Sequence, residues 1–365
     1  MAKFTEIFDD VTKYGRKIPT NEYLSEGKYP IIDQGQSMIA GYTDETDGLY
    51  EDVPAIIFGD HTRILKYVDT PCFLGADGVK LLKAKKENAN YKYLYYALCN
   101  VNIPNTGYNR HFKWLKESEF DIPSCEEQKR IVDVLDKVSE LIDLRKKQLS
   151  KLDELVKSRF VEMFGDPIYN EKGWNRKPLV DICKTIVDCP HSTPKYTSDN
   201  TGYMCIRTSI VKKNKILWDQ IEYIPEDEFF QRIQRKKPEK GDVVYTREGA
   251  ILGIAAIIDR DYDVALGQRM MLLSPNLNEC SPYFLSVAMN FDSFLKNALK
   301  GLSGSASPHI NVADIKAFEM IIPPIDLQNQ FATFVEQTDK LKVEVKESLE
   351  KLETLKKALM QKYFG

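Results

Sequence analysis

The chain has 365 residues, which exceeds the size at which single hydrophobic cores stop growing, so at least two domains are expected. Apolar residues make up 43% and charged residues 29%, as in ordinary soluble proteins, and no apolar run is long enough to span a bilayer. The formal net charge of −3 excludes a global nucleic-acid signature, so a DNA-binding role must rest on local basic patches or on a charged partner.

Two further features concern the cellular compartment. The first residues, MAKFTEIFDD, lack the apolar core of a signal peptide. The seven cysteines, an odd number without any Cys-x-x-Cys pair, indicate reduced thiols. We therefore expect a cytoplasmic protein that does not associate with a membrane.

Residues 1–124 are predicted to form a first globular domain. Short apolar runs rich in β-branched and aromatic residues are separated there by Gly, Pro, Asn and Asp, which is typical of strands and turns. Residues 53–69 and 72–82 each have the pattern of two strands joined by a polar loop. Residues 91–100 have helical spacing, and the polar loop 105–113 follows them.

Residues 125–165 are predicted to form one long helix. Pro123 precedes the segment, and Gly165 followed by Pro167 ends it. Arg145 and Arg159 interrupt its apolar stripe. The stripe has spacings of three, four and seven residues, typical of a helix with one apolar face, and comprises Ile131, Leu135, Val138, Ile142, Leu149, Leu152, Val156 and Met163, widened by a second row at Val134, Leu141 and Leu155.

Residues 166–325 are predicted to form a second globular domain that loosely repeats the first. Residues 241–259 have the strongest pattern of paired strands in the chain. The polar loop 303–311 precedes the exit from this domain, and a second long helix is predicted at residues 326–365. The order is therefore domain, helix, domain, helix.

The helical segment is present twice, and the chain is organised around this repeat. The stretch that opens with Ile122-Pro123 and closes with Phe164-Gly165 recurs without a gap 200 positions later, from Ile322-Pro323 to Phe364-Gly365. A helix with one apolar stripe and no globule to lie on must pack against another helix. We therefore predict an α+β fold of two domains with mixed or antiparallel sheets, each followed by a long helix, with the helices paired as an antiparallel coiled coil.

These features resemble the specificity (S) subunits of type I restriction–modification systems, over the whole chain. The resemblance is carried by the two helix entries, Ile122-Pro123…Glu127-Gln128 and Ile322-Pro323…Leu327-Gln328, and by the closing Phe-Gly pairs. The strings FGDHTRILKYVD…GADGVKLLKA and GDVVYTREGAILGIAAII are each similar to part of a target recognition domain of that family. The resemblance implies a non-catalytic DNA reader in which each domain contacts one half of an asymmetric bipartite site through the major groove.

The resemblance also implies partners. The paired helices would set the unspecified spacer between the half-sites and dock two methyltransferase (modification) subunits on double-stranded DNA. Those subunits would carry S-adenosylmethionine and methylate adenine, and a restriction subunit could join them for ATP-dependent cleavage. The chain itself is expected to hold no cofactor and no metal.

Other functions remain as alternatives. The chain contains no phosphate loop, no Gly-rich dinucleotide fingerprint, no HExxH and no methyltransferase motif of the Asn/Asp-Pro-Pro-aromatic type. Cys183, Cys189 and His191 could suggest zinc, but their spacing matches no known ligand pattern, so buried thiols and a loop imidazole are preferred. The open alternatives are an enzyme with its site in the domains, a coiled-coil scaffold without DNA contact, and a reader in a related, fused restriction system.

The candidate base-reading residues are polar and cationic side chains on loops, because Arg and Lys pair with guanine while Asn and Gln pair with adenine. The alternative for each is a solvated loop residue or a phosphate contact. In the first domain the candidates are His61, Arg63, Tyr108, Asn109, Arg110 and Lys113. In the second domain they are Lys195, Tyr196, Arg207, Arg247, Arg269, Ser305 and His309.

Three assignments concern neighbouring residues. A basic cluster in the second domain is predicted to anchor phosphates or to form an exposed face; it comprises Arg232, Arg235, Lys236 and Lys237. His61 and His111 could instead be buried core histidines. Asp60 and Glu248, which lie beside candidate arginines, could orient them through charge-assisted hydrogen bonds.

Overall fold

A computed structural model describes residues 1–75, 78–300 and 309–365. By its internal contacts the chain divides into two compact units. Unit 1 comprises Met1–Lys146 and Lys346–Gly365, and unit 2 comprises Lys147–Val345. Each unit therefore contains one sheet-bearing domain and a part of both long helices. The predicted division into residues 1–124, 125–165, 166–325 and 326–365 follows the order of the chain and is not tested by these two units.

The first domain is built from short strands, because its apolar runs extend only a few residues between turn-forming Gly, Pro and Asp. Its helices are α1 (Phe4–Ile7), α2 (Tyr91–Cys99) and α3 (Phe112–Lys116), and the long helix α4 (Cys125–Phe164) follows them. Its strands are β1 (Ala2–Lys3), β2 (Phe8–Asp10), β3 (Tyr29–Ile32), β4 (Gly41–Thr43), β5 (Ala55–Gly59), β6 (Leu65–Val68), β7 (Phe73–Leu74), β8 (Val79–Ala84) and β9 (Glu119–Phe120).

The strands of the first domain form three sheets. The largest is antiparallel with the order β2-β8-β5-β6, and β5 is buried along its whole length. The second has the order β4-β3-β7, with β3 and β7 parallel, and the third pairs β1 with β9. Ile131 and Leu135 of α4 are buried in the same core as Phe58 of β5, so the start of the long helix belongs to this domain.

The second domain is longer and is again made of short strands. Its helices are α5 (Leu179–Ile182), α6 (Glu226–Arg232), α7 (Pro282–Met289), α8 (Asp292–Ala298) and α9 (Val312–Lys316), before the long helix α10 (Ile325–Phe364). Its strands are β10 (Arg176–Pro178), β11 (Cys183–Asp188), β12 (Met204–Ile206), β13 (Val211–Lys212), β14 (Lys215–Ile216), β15 (Glu222–Tyr223), β16 (Val243–Thr246), β17 (Ala255–Ile257), β18 (Val264–Leu266), β19 (Met270–Pro275) and β20 (Glu319–Ile321).

The second domain repeats the topology of the first. Its four-stranded antiparallel sheet has the order β11-β19-β16-β17, its three-stranded sheet has the order β15-β12-β18 with β12 and β18 parallel, and β10 pairs with β20. The second domain adds the β13–β14 hairpin. The duplication that the helices indicate therefore extends through both domains.

The long helices have 40 residues each, or roughly 60 Å at about 1.5 Å per residue. In unit 1, Lys146 Nζ lies 3.3 Å from a carboxylate oxygen of Glu353. In unit 2, Lys342 Nζ lies 2.8 Å from Asp153. The higher residue number on α4 thus meets the lower one on α10, and the predicted α+β fold with antiparallel paired helices is confirmed.

The repeat is visible at the entry of each helix. The side-chain amide of Gln128 donates to the carbonyl of Pro123 over 2.9 Å, and Gln328 makes the same bond to Pro323 over 2.9 Å. Each glutamine therefore satisfies a carbonyl at the point where the chain enters the helix. In both copies, the turn that enters the long helix is therefore held by a hydrogen bond from a glutamine side-chain amide.

Two of the three residues in the predicted second apolar row of α4 are exposed, and Val134 is half-buried. In unit 1, Leu141 is 44% exposed, and in unit 2, Leu155 is 47% exposed. The buried face of α4 in unit 2 is formed instead by Val156, Phe160 and Met163, which pack into the domain core.

The described part of the chain contains no helix long and apolar enough to cross a membrane.

Candidate nucleic-acid interface

The candidate residues of the first domain meet at one end of its four-stranded sheet. Strand β5 ends there at Gly59, which pairs with Val79 at the start of β8. Asp60 follows and is buried, and its carboxylate accepts a hydrogen bond from the Phe112 amide over 2.7 Å. Its carbonyl accepts another from the His111 amide over 2.8 Å. Asp60 therefore ties the loop that ends at residue 111 to the end of β5.

An aromatic pair forms the exposed part of this end. The rings of His61 and Tyr108 are stacked with centroids 4.6 Å apart, and Tyr108 is 87% exposed. His61 Nδ1 lies 3.2 Å from the Asn109 carbonyl, so this nitrogen carries the proton and donates. The His61 amide donates to the side-chain oxygen of Gln34 over 3.3 Å. The pair is thus held in place before any ligand arrives.

A glycine makes room for this arrangement. Gly78 has φ +93°, and a Cβ atom there would lie 2.7 Å from the His61 ring and 2.9 Å from the Gln34 amide. Such distances are shorter than van der Waals contact, and the backbone conformation is one that L residues rarely adopt. Only glycine therefore lets the β8 entry approach both side chains.

The other first-domain candidates differ in exposure. Arg110 and Lys113 are exposed, and the Lys113 ammonium lies 4.1 Å from the centre of the Trp114 ring. Asn109 is exposed, with its amide donating to the Thr106 carbonyl. Arg63 is partly buried and donates to the Ile103 carbonyl over 3.1 Å, so its guanidinium contacts the segment after α2.

His111 is a buried core histidine. Its Nδ1 lies 2.9 Å from the Asp60 carbonyl and its Nε2 lies 3.3 Å from the Thr106 hydroxyl. His61 is half-exposed and belongs to the loop surface instead. The two histidines considered together in the sequence therefore have different environments.

The sequence reasoning did not select Gln34. It lies in the segment 33–37, which follows β3 and is held by Lys66 from β6. The Lys66 ammonium is buried, lies 3.4 Å from an Asp33 oxygen and donates to the Ser37 carbonyl. Burial lowers the pKa of Lys66, while the charge and hydrogen bond of Asp33 act in the opposite direction. The polar string DQGQS between two apolar runs was the available signal for this loop.

In the second domain the equivalent sheet end contains a buried ion pair. Arg247 follows the last residue of β16 and is only 7% exposed. Its Nε and Nη2 donate to the two carboxylate oxygens of Asp188 over 3.0 and 3.1 Å. Arg247 does follow a strand, as predicted, but it is buried, and a buried guanidinium must place its donors on protein acceptors.

Arg232 is buried in the same way. Its Nε donates to Glu228 over 2.6 Å, and its Nη atoms donate to the carbonyls of Leu266 and Ser192 over 3.2 and 2.8 Å. The sequence had placed Arg232 in an exposed phosphate-anchoring cluster. Because α6 is amphipathic, Arg232 lies on its inner face, where carbonyls of the neighbouring loops are the available acceptors.

The rest of the basic cluster is exposed or half-buried and contacts acceptors in its own domain. Arg235 donates to the Asp188 carbonyl over 3.1 Å. Lys236 lies 2.9 Å from Glu239 and 3.3 Å from Asp242, and Lys237 forms an ion pair with Asp263. These neighbouring carboxylates offset most of the positive charge that the string of basic residues indicates.

Arg269 and its neighbours are the exposed cationic part of the second domain's sheet end. Arg269 directly precedes β19 and has φ +71°, and its Nε lies 3.9 Å from a carboxylate oxygen of Glu248, an ion-pair distance that is too long for a hydrogen bond. His309 is exposed and is bridged to Glu248 through the backbone. Lys195 and Tyr196 are exposed on the loop after β11, and Arg207 pairs with Glu222 over 2.7 Å. Ser305 lies outside the described residues.

The three residues considered for zinc have other partners. The buried Cys189 sulfur accepts a hydrogen bond from the Met270 amide over 3.2 Å. Burial raises the pKa of the Cys183 thiol to about 12. His191 Nε2 lies 3.0 Å from Asp188. Within the ranges that the structure describes, no group of three His, Cys, Asp or Glu side chains is arranged to hold a metal ion.

The sequence matches a known protein family. The model of the type I restriction modification DNA specificity domain matches residues 2–154 and 171–357. The chain belongs to this family. It is a DNA specificity subunit, a non-catalytic component of a type I restriction–modification complex.

Individual relatives of this specificity subunit agree with the family. The MjaVIII type I specificity subunit of Methanocaldococcus jannaschii is 24% identical over 79% of this chain and 74% of its own length. The EcoR124I/EcoR124II specificity subunit of Escherichia coli is 22% identical over 93% of this chain and 87% of its own.

Solved structures share its fold. The S subunit of a type I restriction–modification system from M. genitalium aligns with a TM-score of 0.59 and 16% identity, over 100% of this chain and 95% of that one. A chain from a structural study of assembly and conformational transition in the type I system aligns with a TM-score of 0.52 and 17% identity, over the same shares.

Proposed function

We propose that each domain of this specificity subunit reads one half of a bipartite, asymmetric DNA sequence through the loops at one end of its four-stranded sheet. The observation that carries the proposal is the equal strand order of the two domains, combined with different polar side chains at the equivalent sheet end. The first domain offers Tyr108 and Arg110 there, and the second offers Lys195 and Arg269. Two domains with the same strand order but different loop side chains are suited to two half-sites of different sequence.

The side chains fit two kinds of DNA contact. Arg110 and Arg269 have donors, and Asn109 has a donor and an acceptor, that can read base edges in the major groove. Exposed cations such as Lys113 and Lys195 suit phosphates, which position a protein on the duplex without reading it. The remaining readers proposed are His61, Arg63, Tyr108, Tyr196, Arg207 and His309, and Arg235 is proposed as a phosphate anchor. Arg232 and Arg247 are buried, so we assign them a role in holding the neighbouring loops in place. Lys236 is proposed to pair with the carboxylates of Glu239 and Asp242 and not with DNA.

The paired helices are proposed to set the spacer between the half-sites. A helix of roughly 60 Å exceeds the ~34 Å of one helical turn of DNA that commonly separates half-sites. The helices are also proposed to dock two methyltransferase subunits, which carry S-adenosylmethionine and methylate adenine; a restriction subunit could join them.

Exposed leucines support two equivalent docking faces. In unit 1, Leu141 of α4 and Leu355 of α10 are 44% and 46% exposed, on the stretch where Lys146 meets Glu353. In unit 2, Leu155 and Leu341 are 47% and 50% exposed, on the stretch where Asp153 meets Lys342. Leu341 and Leu355 are the copies of Leu141 and Leu155 in the repeat. Solvated leucines at repeated positions of a helix pair are typical of a partner surface.

Co-expression with the methyltransferase of the same system, followed by long-read mapping of methylated adenines, tests the proposal. We expect a split, asymmetric motif with an unspecified spacer. Arg110→Ala and Arg269→Ala should relax opposite halves of that motif while the complex stays assembled. Arg260→Ala is the matched control, because Arg260 is exposed just beyond the end of β17, at the opposite end of the same sheet. A continuous motif, or a motif unchanged in both loop variants, would contradict two-domain reading.

A further inference from the structure

Asp188 joins a buried cation to an exposed imidazole. It closes β11 at the loop end of the sheet, where both of its oxygens accept hydrogen bonds from the buried Arg247. On the outer side, His191 Nε2 lies 3.0 Å from one of these oxygens, and the His191 side chain is 66% exposed. The carboxylate is therefore oriented from within and in turn orients a side chain at the surface.

This contact determines how His191 can bind a ligand. Because Nε2 faces a carboxylate oxygen at 3.0 Å, this nitrogen carries a proton, and the other ring nitrogen, Nδ1, is left for a further partner. Nδ1 accepts a hydrogen bond in the neutral ring and donates one in the protonated ring. Base edges offer both donors and acceptors, and phosphates offer acceptors, so an imidazole held in this way is suited to either part of DNA.

The loop that carries His191 is braced from several sides. The Cys189 amide donates to the Met270 carbonyl over 3.1 Å, and the Cys189 sulfur accepts from the Met270 amide. Arg232 reaches from α6 to donate to the Ser192 carbonyl over 2.8 Å. Prolines 190 and 194 restrict the backbone on both sides of the histidine.

Two buried arginines thus end on one short segment, residues 188–192. Buried ion pairs add little net stability, because the desolvation of both charges offsets their attraction. The contacts of the two buried arginines are therefore better explained by the fixed position that they give to residues 188–192 than by their contribution to the free energy of unfolding. The segment lies at the same sheet end as the exposed Lys195 and Arg269, which would attract a polyanion.

We propose that His191 forms a hydrogen bond to DNA in the half-site read by the second domain, and that Asp188 and Arg247 are positioning residues that hold it. The proposal rests on the reading of one half-site by each domain. It adds a residue outside the candidate set and assigns a purpose to the two arginines that are buried.

The test uses the full chain assembled with its methyltransferase. The motif mapped for the unaltered complex supplies a duplex probe, and further duplexes change it one base pair at a time. Kd is measured by fluorescence anisotropy over a salt series for His191→Ala, Asp188→Asn and Arg110→Ala, and the thermal midpoint Tm is measured for each variant. Arg110→Ala reports on the first domain and serves as the control for the half-site.

For His191→Ala we expect Kd for the mapped duplex to rise about tenfold at an unchanged Tm, since one good contact to a base is worth that much. A base contact removes discrimination at one or two base pairs of the half that Arg110→Ala leaves intact. A phosphate contact instead weakens all duplexes equally and makes the salt dependence shallower. Asp188→Asn should produce the same change in binding together with a lower Tm, because it weakens the partner of buried Arg247.

Two outcomes would overturn the inference. In the first, His191→Ala has the Kd and base profile of the unaltered complex. In the second, His191→Ala lowers Tm as much as Asp188→Asn, which would make His191 a structural residue. If Arg110→Ala relaxes its own half in either case, only the His191 inference fails. If no variant changes any half of the motif, the reading of half-sites by the two domains fails as well.

Discussion

The imidazole of His61 lies parallel to the ring of Tyr108, at an interplanar angle of 5° and a centroid distance of 4.6 Å. Neither ring belongs to the main core of the domain, and the phenol is almost fully exposed. Two aromatic side chains that are ordered against each other at the surface present a large contact area with little conformational entropy left to lose on binding. Among the DNA contacts proposed for the first domain, this pair is therefore the one that is already ordered.

Tyr108→Ala should weaken binding of the assembled complex to its mapped duplex by roughly 1–3 kcal/mol, without changing Tm, because the exposed ring contributes binding contacts and little burial. Fluorescence anisotropy and thermal unfolding measure the two quantities. Tyr169→Ala is the matched control, since Tyr169 is another strongly exposed tyrosine, at 74%, and follows α4. Equal losses in both variants would argue against a specific role for Tyr108.

Lys66→Met should separate loop position from stability. The substitution removes the ammonium that holds Asp33 and the Ser37 carbonyl while it keeps the apolar stem. We expect the free energy of unfolding to change by about 1 kcal/mol or less, because Asp33 keeps contact with water. Discrimination in the first half-site should fall as segment 33–37 loosens around Gln34. Denaturant unfolding and base-by-base affinity measure these effects, and a large stability loss with intact discrimination would contradict the assignment.

Arg247→Ala and Arg269→Ala should differ, although the sequence treats both arginines as readers. Arg247→Ala leaves the Asp188 carboxylate buried without its cation, so we expect a loss of roughly 3–5 kcal/mol in the free energy of unfolding. Arg269 is half-exposed and weakly paired, so Arg269→Ala should leave stability unchanged and relax one half of the methylated motif. Denaturant unfolding with methylation mapping decides between these roles, and equal stability losses would contradict the assignment.

Phe160→Ala and Leu155→Gln should separate folding from assembly. Phe160 is fully buried against Phe284, Phe291 and Phe331, with ring centroids 4.9 to 5.5 Å away, so its loss should cost about 3–5 kcal/mol. Leu155→Gln should keep Tm and lower the number of methyltransferase subunits bound, as judged by the mass of the purified complex. Full assembly in Leu155→Gln together with Leu341→Gln would exclude the leucines of unit 2 as a docking face.

The isolated chain should bind DNA weakly. Its net charge is −3, and most cations of the cluster at residues 235–237 already face carboxylates, so few phosphates can be neutralised. Non-specific affinity and its salt dependence both scale with the number of phosphates neutralised. Adding methyltransferase should therefore raise the affinity and steepen the dependence on salt. Anisotropy with and without the partner measures both, and tight, specific binding by the chain alone would contradict this expectation.

Some properties were decided by sequence alone. The repeat at an interval of 200 positions predicts two helices of one length and their mutual packing. The structure adds that the aligned Gln128 and Gln328 make the same hydrogen bond to a proline carbonyl. Helical periodicity and the entry and exit residues depend on neighbours within one or two turns, so they are readable in the string. The predicted α+β order follows from the same local patterns, and the resemblance to the family is carried by the repeated helix entries and closing Phe-Gly pairs.

Tertiary structure alone decided which cations are exposed. Arg247 and Arg269 both stand beside a turn in the sequence, but Arg247 finds Asp188, 59 positions away, and is buried with it. Leu155 and Val156 are adjacent, but only Val156 faces the core. The spacing of apolar residues locates the apolar face of a helix only to within a fraction of a turn. Whether a charged side chain is buried depends on partners that lie far away in the sequence and are brought near it by folding. The order of domains and helices in this specificity subunit could therefore be predicted from its sequence. Which polar side chains are exposed at the candidate site could be decided only from the tertiary structure.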